Sequence, residues 1–337
     1  MSKYIVYFMT LTILMCSFNV DAAVVRRAAF DFGSGKIKVQ VADVDTDTRQ
    51  ILLSLYTEDA VVLLSEDAAH QPQSLLSDQI QEKAINAAQS LKQKALDLGA
   101  TEFYGLATEA YRKAPNAHKL VDRYFSELAI PVKIISQIEE GQNAFRALIA
   151  ETNLDQNEVI SFDIGGGSFQ VTYLDDDKNI QVYMAPFGRS TTKNAIITYV
   201  KGEDPATTLS PNPMSRGDWE SALKYFDKTL PEVPEALALK LKKSDVQVIG
   251  ISAHPEKLRN LSTYHLENIH NALEERLNKG DAELAASHKS PNSAVSELAL
   301  VYSIMQKLQI STVNYIRTNG GATSALLISD EYWIENK

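Results

Sequence analysis

One stretch, residues 159–173, constrains the fold of this chain more than any other. An apolar run ends at Asp163, glycines fill positions 165–167, and an alternating apolar pattern then continues to Tyr173. This pattern predicts two strands joined by a turn that is almost bare backbone. Because glycine has no Cβ and tolerates positive φ, the N–H groups of such a turn can converge on an anion such as phosphate. An ordinary tight hairpin with a turn aspartate is the alternative.

The same arrangement occurs a second time near the start of the chain. In residues 27–41 an apolar run ends at Asp31, a Gly-Ser-Gly turn follows at 33–35, and a strand pattern leads away. A repeated Asp-x-Gly hairpin is much rarer by chance than a single one. The pair predicts two related domains facing each other across a cleft. Phosphate would lie between the turns, and a divalent cation would lie between Asp31 and Asp163.

The length and composition are those of a globular protein with two domains. The chain has 337 residues, of which 45% are hydrophobic and 23% are charged, and this is enough for two ordinary cores. The net charge of -10 argues against a general nucleic-acid binder, so we expect no nucleic-acid partner. A polyanionic substrate would need a local positive patch. The sequence leaves a homodimer open.

Residues 1–22 have the features of a secretory signal peptide. Lys3 supplies a minimal positive region, and the apolar run at 4–18 is too short for a good membrane span. Small residues favour cleavage after Ala22. Cleavage would remove Cys16, the one cysteine of the chain, and leave neither a disulfide nor a thiol nucleophile. We therefore expect a periplasmic or secreted protein with no stable membrane span after cleavage. A retained N-terminal anchor is the alternative.

Strands and helices alternate through the rest of the chain, which predicts an α/β protein. Helical apolar spacing predicts a helix over residues 75–98, with Ser74 as its N-cap and Gly99 as its stop signal. Another helix is predicted over residues 142–150. Residues 255–292 read as mostly polar and helical.

Four motifs can be taken together: Asp31-Phe32-Gly33-Ser34, Ala107-Thr108-Glu109-Ala110-Tyr111-Arg112, Ile134-Ile135-Ser136-Gln137-Ile138-Glu139-Glu140 and Asp163-Ile164-Gly165-Gly166-Gly167-Ser168. In this order and spacing they resemble the exopolyphosphatase and guanosine pentaphosphate phosphohydrolase (Ppx/GppA) family, within the actin-like ATPase superfamily. The resemblance extends over roughly residues 28–328 and is strongest over residues 31–170.

This resemblance implies an α/β fold with two actin-like (ribonuclease H-like) domains around a phosphate-binding cleft. We divide the chain accordingly into a signal peptide (1–22), an N-terminal domain (23–150) and a C-terminal domain (151–337). The resemblance also implies hydrolysis of a terminal phosphoanhydride with a divalent cation, usually Mg²⁺. The expected substrate is inorganic polyphosphate. The alternatives are an NTP or pppGpp phosphohydrolase and a catalytically weak phosphate- or nucleotide-binding protein.

Hydrolysis of a phosphoanhydride requires neutralised phosphate charge and a water aligned with the scissile bond. Glu140 is predicted to orient and deprotonate that water. The alternative is an acidic residue that stabilises a helix N-terminus, a role that Glu139 fits equally. Gln170 would hold the water or simply face a neighbouring strand. Asp31 and Asp163 are predicted to bind the metal, the alternative being turn aspartates bonded to their own backbone.

The phosphates themselves are predicted to contact cationic groups and turn residues. Arg112 would clamp a phosphate oxygen pair, although a lone arginine is more often a solvated helix charge. Lys36 would add a cation beside the first turn, or it would lie on the outward face of a strand. The remaining predicted contacts are the N–H and O–H groups of Ser34, Gly35, Gly165, Gly166, Gly167 and Ser168.

The chain departs from the family pattern at several positions, which puts metal affinity and rate in question. The departures are Gly35-Lys36 in place of Asn-Ser, Gln137 in place of Gly, Phe169-Gln170 in place of a small residue and Glu, and Ser252-Ala253-His254 in place of a Gly-Thr pair. A glutamine at position 170, together with Glu140-Gly141, resembles the apyrases, which are usually longer and carry disulfides. An apyrase-like activity therefore ranks second.

Overall fold

The computed structural model describes residues 24–152, 154–251, 263–316 and 322–333. The predicted signal peptide and the Ser252-Ala253-His254 segment lie outside the described residues. Within the described part, no helix combines the length and the apolar character needed to cross a membrane. The chain forms two mixed β-sheets, each covered by helices.

The first sheet has five strands in the order β3-β2-β1-β4-β5. Its centre is β1 (Val24–Phe32), which pairs antiparallel with β2 (Lys36–Asp45) and parallel with β4 (Glu102–Ala107). The edges are β3 (Gln50–Val61) and β5 (Val132–Ile134). The inner face is apolar because alternate residues of β1 and β2 point to the same side, where Phe30 and Phe32 are fully buried. The helices of this half are α1 (Leu64–Ala69), α2 (Asp78–Asp97), α3 (Glu109–Lys113), α4 (Ala117–Leu128) and α5 (Gln137–Glu151).

The second sheet has six strands in the order β10-β11-β9-β6-β7-β8. They are β6 (Val159–Ile164), β7 (Phe169–Leu174), β8 (Ile180–Ala185), β9 (Gln247–Gly250), β10 (Thr263–His265) and β11 (Thr312–Tyr315). The helices are α6 (Arg189–Tyr199), α7 (Arg216–Thr229), α8 (Glu235–Leu241), α9 (Leu266–Glu274), α10 (Asp281–Leu284), α11 (Ala294–Lys307) and α12 (Ala322–Ile328). Most of α11 is buried, so this helix supplies the centre of the second core.

The two sheets have related topologies. In both, three antiparallel strands form a meander (β1-β2-β3 and β6-β7-β8), and the first of them pairs in parallel with a strand reached by a crossover (β4 and β9). The two Asp-x-Gly turns occupy the same place in this plan, between the first and second strands. Each turn is therefore presented at the corresponding edge of its own sheet.

Two helices each pack against the sheet that is formed by the other half of the chain. The helix α5 contacts β6, β7 and β8 of the second sheet, and α12 contacts β1, β2 and β3 of the first sheet as well as α5. Arg27 of β1 donates a hydrogen bond to the Leu327 carbonyl, and Gln40 of β2 accepts from Thr323 and Ser324. The division at residue 150, which we retain as a proposal, thus separates segments that cross over in space.

Some predicted boundaries were wrong. The N-cap of α2 is Ser77, whose Oγ accepts from the Ile80 N–H at 3.2 Å, and not Ser74. Ser74 lies in a 3-10 turn with a φ of 55°. Within 255–292, the described residues include the strand β10, because Thr263–His265 pairs with β11. The short α1 was not predicted.

Candidate active site

The first turn joins β1 to β2 and exposes backbone N–H groups. The Gly33 N–H donates to the Lys36 carbonyl at 3.0 Å and closes the turn. Among the described residues, no acceptor takes the N–H of Ser34 or Gly35. The Ser34 hydroxyl, however, donates to Glu109 at 2.8 Å and accepts from the Ala110 N–H at 3.2 Å. The prediction that this hydroxyl contacts phosphate is therefore corrected, since it instead fastens the turn to α3.

The second turn joins β6 to β7 and is held from behind by the start of α6. Its carbonyls are occupied: Gly165 and Gly166 accept from the N–H groups of Arg189 and Ser190, and Gly167 accepts from the Thr191 hydroxyl. Its N–H groups at 166–168 donate to no acceptor within the described part of the chain. The turn thus presents donors on its open side, which suits an anion.

Gly188, the N-cap of α6, lies directly against this turn. A Cβ at this position would lie 2.6 Å from the backbone of Gly166, Gly167 and Ser168. No side chain separates these segments, so only glycine fits between α6 and the turn. Gly188 was not among the predicted site residues, although a glycine between a strand and a helix is a recognisable signal in the sequence.

The two turns meet. A Cβ on Gly166 would lie 3.4 Å from the Ser34 Cβ and 3.7 Å from the Gly35 N atom. A Cβ on Gly167 would overlap the Glu109 carboxylate, so this glycine permits contact between the second turn and α3. The hairpins that begin at Asp31 and Asp163 therefore share one crevice, with free N–H groups from both sides.

Glu140 lies in the first turn of α5, which begins five residues earlier than predicted. Ser136 caps this helix in a capping box with Glu139, whose carboxylate accepts from the Ser136 N–H at 2.8 Å and pairs with Lys133 at 3.1 Å. Glu139 thus takes the helix-start role. This separates the two neighbouring glutamates, since Glu140 faces the crevice and bonds to Arg112.

The environment of Glu140 favours its protonated form. The pKa of this carboxyl is raised to about 7, chiefly by burial and also by the charges of Asp163 and Asp31, while Arg112 opposes the rise. The pKa of Glu140 is therefore close to the value that a general base requires at neutral pH. The influence of both aspartates also shows that all three carboxyls lie within electrostatic reach of one another.

Arg112 has a more specific role than the predicted phosphate clamp. Its guanidinium donates to Glu140 Oε2 at 2.8 Å and to the Ile135 carbonyl at 2.9 Å. Since a guanidinium has five N–H donors, the remaining donors are compatible with a phosphate contact. The observed partners show that Arg112 holds Glu140 against the end of β5.

Gln170 lies directly opposite Asp163 in the β6–β7 ladder and is 1% exposed. Its side-chain amide donates to the Ser168 hydroxyl at 2.9 Å, which leaves the Ser168 O–H free to donate elsewhere. A Cβ on Gly141 would lie 2.9 Å from Thr172 Oγ1 and 3.2 Å from Gln170 Cβ. Gly141 therefore lets α5 approach β7 closely and brings the first turns of this helix beside Gln170.

The carboxylates fit a hydrated magnesium ion. Burial raises the pKa of Asp31, and the nearby lysines Lys38 and Lys36 oppose this rise. A buried carboxylate needs a compensating charge, and Mg²⁺ accepts one or two carboxylates while keeping several waters. Asp31 and Asp163 supply such a pair. No group of three or more His, Cys, Asp or Glu side chains within the described ranges could enclose a metal.

Lys36 does not take the predicted place beside the phosphate. Its Nζ pairs with Asp59 Oδ2 of β3 at 2.5 Å, and its side chain is 52% exposed. These contacts favour the alternative of an outward strand residue. Gly35, by contrast, opens on free space, since nothing lies within 4 Å of a Cβ built there.

Glu109 and Lys193 are further charged residues of the cleft that the sequence did not single out. Glu109 is buried and accepts from the hydroxyls of Ser34 and Ser65, and it pairs with Lys113 at 2.5 Å. Lys193 is a buried cation on α6. The motif that contains Glu109 was recognised in the sequence. Only the fold shows that the Glu109 carboxylate lies between the two turns.

Comparisons with known proteins agree with this geometry. Residues 42–208 match the Ppx/GppA phosphatase family, a segment that contains Arg112, Glu140 and Asp163. A curated relative, "Exopolyphosphatase 1" of Mycobacterium leprae, is 23% identical over 107 residues, which are 32% of each chain. The matched part thus spans about a third of the length of that relative.

Solved structures show the same fold. The crystal structure of the Ppx/GppA family member of Aquifex aeolicus aligns with a TM-score of 0.68 at 17% identity, covering 93% of this chain and 99% of the other. An exopolyphosphatase from Cytophaga hutchinsonii aligns with a TM-score of 0.69 at 16% identity, covering 90% and 96%. The fold is therefore the predicted α/β actin-like one, and residues 42–208 of this chain are similar to the Ppx/GppA phosphatase family.

Proposed function

We propose that this protein hydrolyses phosphoanhydride bonds and releases terminal phosphate from inorganic polyphosphate. The observation that carries the proposal is the convergence of Asp31, Asp163 and Glu140 on a crevice between two glycine turns with free N–H groups. The name of the Mycobacterium leprae relative supports polyphosphate as the substrate.

In this mechanism the turn N–H groups bind the oxygens of the terminal phosphate, where negative charge is concentrated in the transition state. Mg²⁺ held by Asp31 and Asp163 would neutralise phosphate charge. Glu140, ionised and held by Arg112, accepts a proton from the attacking water. The side-chain amide of Gln170 donates to the Ser168 hydroxyl and so fixes the position of that hydroxyl in the second turn.

The test is phosphate release by the purified protein with Mg²⁺ from long-chain polyphosphate, ATP and pppGpp. A clear preference for polyphosphate supports the proposal. Nucleotide preference would favour the second candidate, an apyrase-like enzyme, which the adjacency of Gln170 and Glu140-Gly141 supports. Tight binding of all three compounds without turnover would instead show a phosphate- or nucleotide-binding protein.

The pH dependence of the reaction should follow Glu140. Because this residue acts as an ionised base and its pKa is about 7, kcat/KM should rise with pH through a midpoint near that value at limiting Mg²⁺. Saturating Mg²⁺ should move the midpoint to lower pH, since a nearby cation favours the carboxylate. The measurement is kcat/KM over roughly pH 5.5 to 8.5 at two Mg²⁺ concentrations. A profile without a rising limb would contradict the assignment.

Arg112→Gln should move the same rising limb to higher pH. Arg112 lowers the pKa of Glu140 by its charge and by its hydrogen bond, and the substitution removes both the positive charge and the guanidinium that donates this bond. Arg112→Lys is the matched control, since it keeps the positive charge and should shift the limb less. If Arg112→Gln raises KM while leaving the pH profile unchanged, phosphate binding is its sole role.

We also propose that the protein acts in the periplasm or outside the cell. The support is the signal-like pattern of residues 1–22 in the sequence. Cell fractionation of the full-length chain, with the N-terminus of the mature form determined, tests this directly. Cleavage after Ala22 is the expected result.

A further inference from the structure

The side chain of Lys193 is 5% exposed and lacks a close partner. Its nearest ion-pair partner is Glu66 Oε1 at 3.8 Å, which is beyond hydrogen-bond distance. No acceptor among the described residues takes a hydrogen bond from its Nζ. Because the Lys193 Nζ makes no hydrogen bond within the described part of the chain and its ion-pair partner is distant, an anion that approaches it more closely would be a better partner than Glu66.

The position of Lys193 can be fixed from contacts on both sides of the crevice. It lies one turn into α6, whose first residues, Arg189 and Ser190, hold the second glycine turn. Its partner Glu66 follows Ser65, whose N–H donates to the Ser34 carbonyl of the first turn. Lys193 thus lies where α6 meets α1, beside both turns.

The other charges nearby have closer partners than Lys193. Glu109 is held by two hydroxyls and by Lys113, and Arg189 lies 3.3 Å from Glu297, although its Nε makes no hydrogen bond to any described residue. Glu66, by contrast, is 33% exposed and can turn towards solvent. An anion entering between α1 and α6 would therefore displace Glu66 from Lys193 and leave the remaining pairs in place.

We propose that Lys193 binds the phosphate group next to the terminal one and so determines the affinity for substrates with more than one phosphate. This inference rests on the proposed function, because it takes the crevice between the turns as the place of the terminal phosphate. The start of α6 packs against the second turn, so α6 lies next to any phosphate chain bound at that turn. The shared chemistry is a di- or triphosphate anion, whether from polyphosphate or from a nucleotide.

The test is calorimetric binding in the inactive Glu140→Gln background with Mg²⁺, using orthophosphate, tripolyphosphate and ATP. Adding Lys193→Met should weaken tripolyphosphate binding at least tenfold and change orthophosphate binding less than twofold. Adding Glu66→Gln should strengthen tripolyphosphate binding, because it removes the competing carboxylate. Lys224→Met, which removes an exposed α7 lysine, is the matched control for net charge. Lys193→Gln provides a second variant should the Met variant fold poorly.

Three results would overturn the inference. The first is tripolyphosphate affinity unchanged by Lys193→Met in a parent that binds it. The second is equal weakening by Lys193→Met and Glu66→Gln, accompanied by equal falls in melting temperature, which would show a purely structural ion pair. The third is a parent that binds none of the three compounds, in which case the proposed function falls as well. When the parent binds, the difference between its affinities for tripolyphosphate and ATP distinguishes polyphosphate from a nucleotide as the source of the anion.

Discussion

Replacing Glu140 by Gln should reduce phosphate release by about 10²- to 10⁴-fold, the usual contribution of a general base. The amide has the same shape and keeps an oxygen for Arg112, but it cannot accept the proton of the attacking water. The loss should appear in kcat, with the affinity for tripolyphosphate retained. Steady-state kinetics and calorimetric binding on the same preparation measure both quantities.

The folded state should tolerate this change. Because burial raises the pKa of Glu140 above its unfolded value, ionisation of this carboxyl lowers stability as the pH rises from about 4.5 through about 7. Glu140→Gln removes that penalty, so its melting temperature at pH 8 should equal or exceed that of the unchanged protein. Glu139→Gln is the matched control, and it should affect only the start of α5. Full activity in Glu140→Gln would remove this residue from catalysis.

Gly188→Ala should have the largest effect on the second turn. The new Cβ would lie 2.6 Å from backbone atoms of three residues, and no flexible side chain can move aside to relieve the overlap. Either the turn or the start of α6 must shift, at a cost of about 1–3 kcal/mol or more. The N–H groups at 166–168 would then lose their common direction.

Two measurements check this expectation. Thermal unfolding should show a clear fall in melting temperature, and calorimetry should show a large loss of orthophosphate affinity. Gly217→Ala is the control, since its Cβ would meet only the Ser215 Oγ at an ordinary 3.8 Å and alanine suits a helix. If Gly188→Ala binds phosphate as tightly as the unchanged protein, the second turn is not the anion site.

The sequence predicts features that depend on neighbouring residues. The two hairpins are local, because an apolar run, an acid and a glycine turn determine strand, turn and strand within about fifteen residues. The chain could therefore be divided into two related halves around Asp31 and Asp163 before any coordinates were known. The resemblance to the Ppx/GppA family then added Arg112 and Glu140 to the predicted site.

Features that depend on distant contacts were predicted poorly. Lys36 was a candidate cation because of its place in the sequence, but the β2–β3 register puts Asp59 opposite Lys38, the next residue on the same face of β2, where the Lys36 side chain reaches it. The hydroxyl of Ser34 was assigned to phosphate because α3, reached 75 residues later, could not be foreseen as its partner. Lys193 was not predicted for the same reason, since its ion-pair partner Glu66 lies on α1, far from it in the sequence.

Helix starts show a subtler difficulty. Both Ser74 and Ser77 precede the apolar repeat of α2, and only the hydrogen bond to Ile80 identifies the true cap. The Ser136 cap was similarly hidden among polar residues. In α5 this matters for chemistry, because the capping box occupies Glu139 and thereby assigns the crevice to Glu140.

The exchange of α5 and α12 between the sheets has a consequence for any attempt to produce the two halves separately. Each half covers part of its apolar surface with a helix donated by the other, so neither half alone would conceal its own interior. Glu140, the proposed general base, lies on one of these two shared helices. A fragment that ends before α5 would therefore lack both this residue and the helix that covers the second sheet.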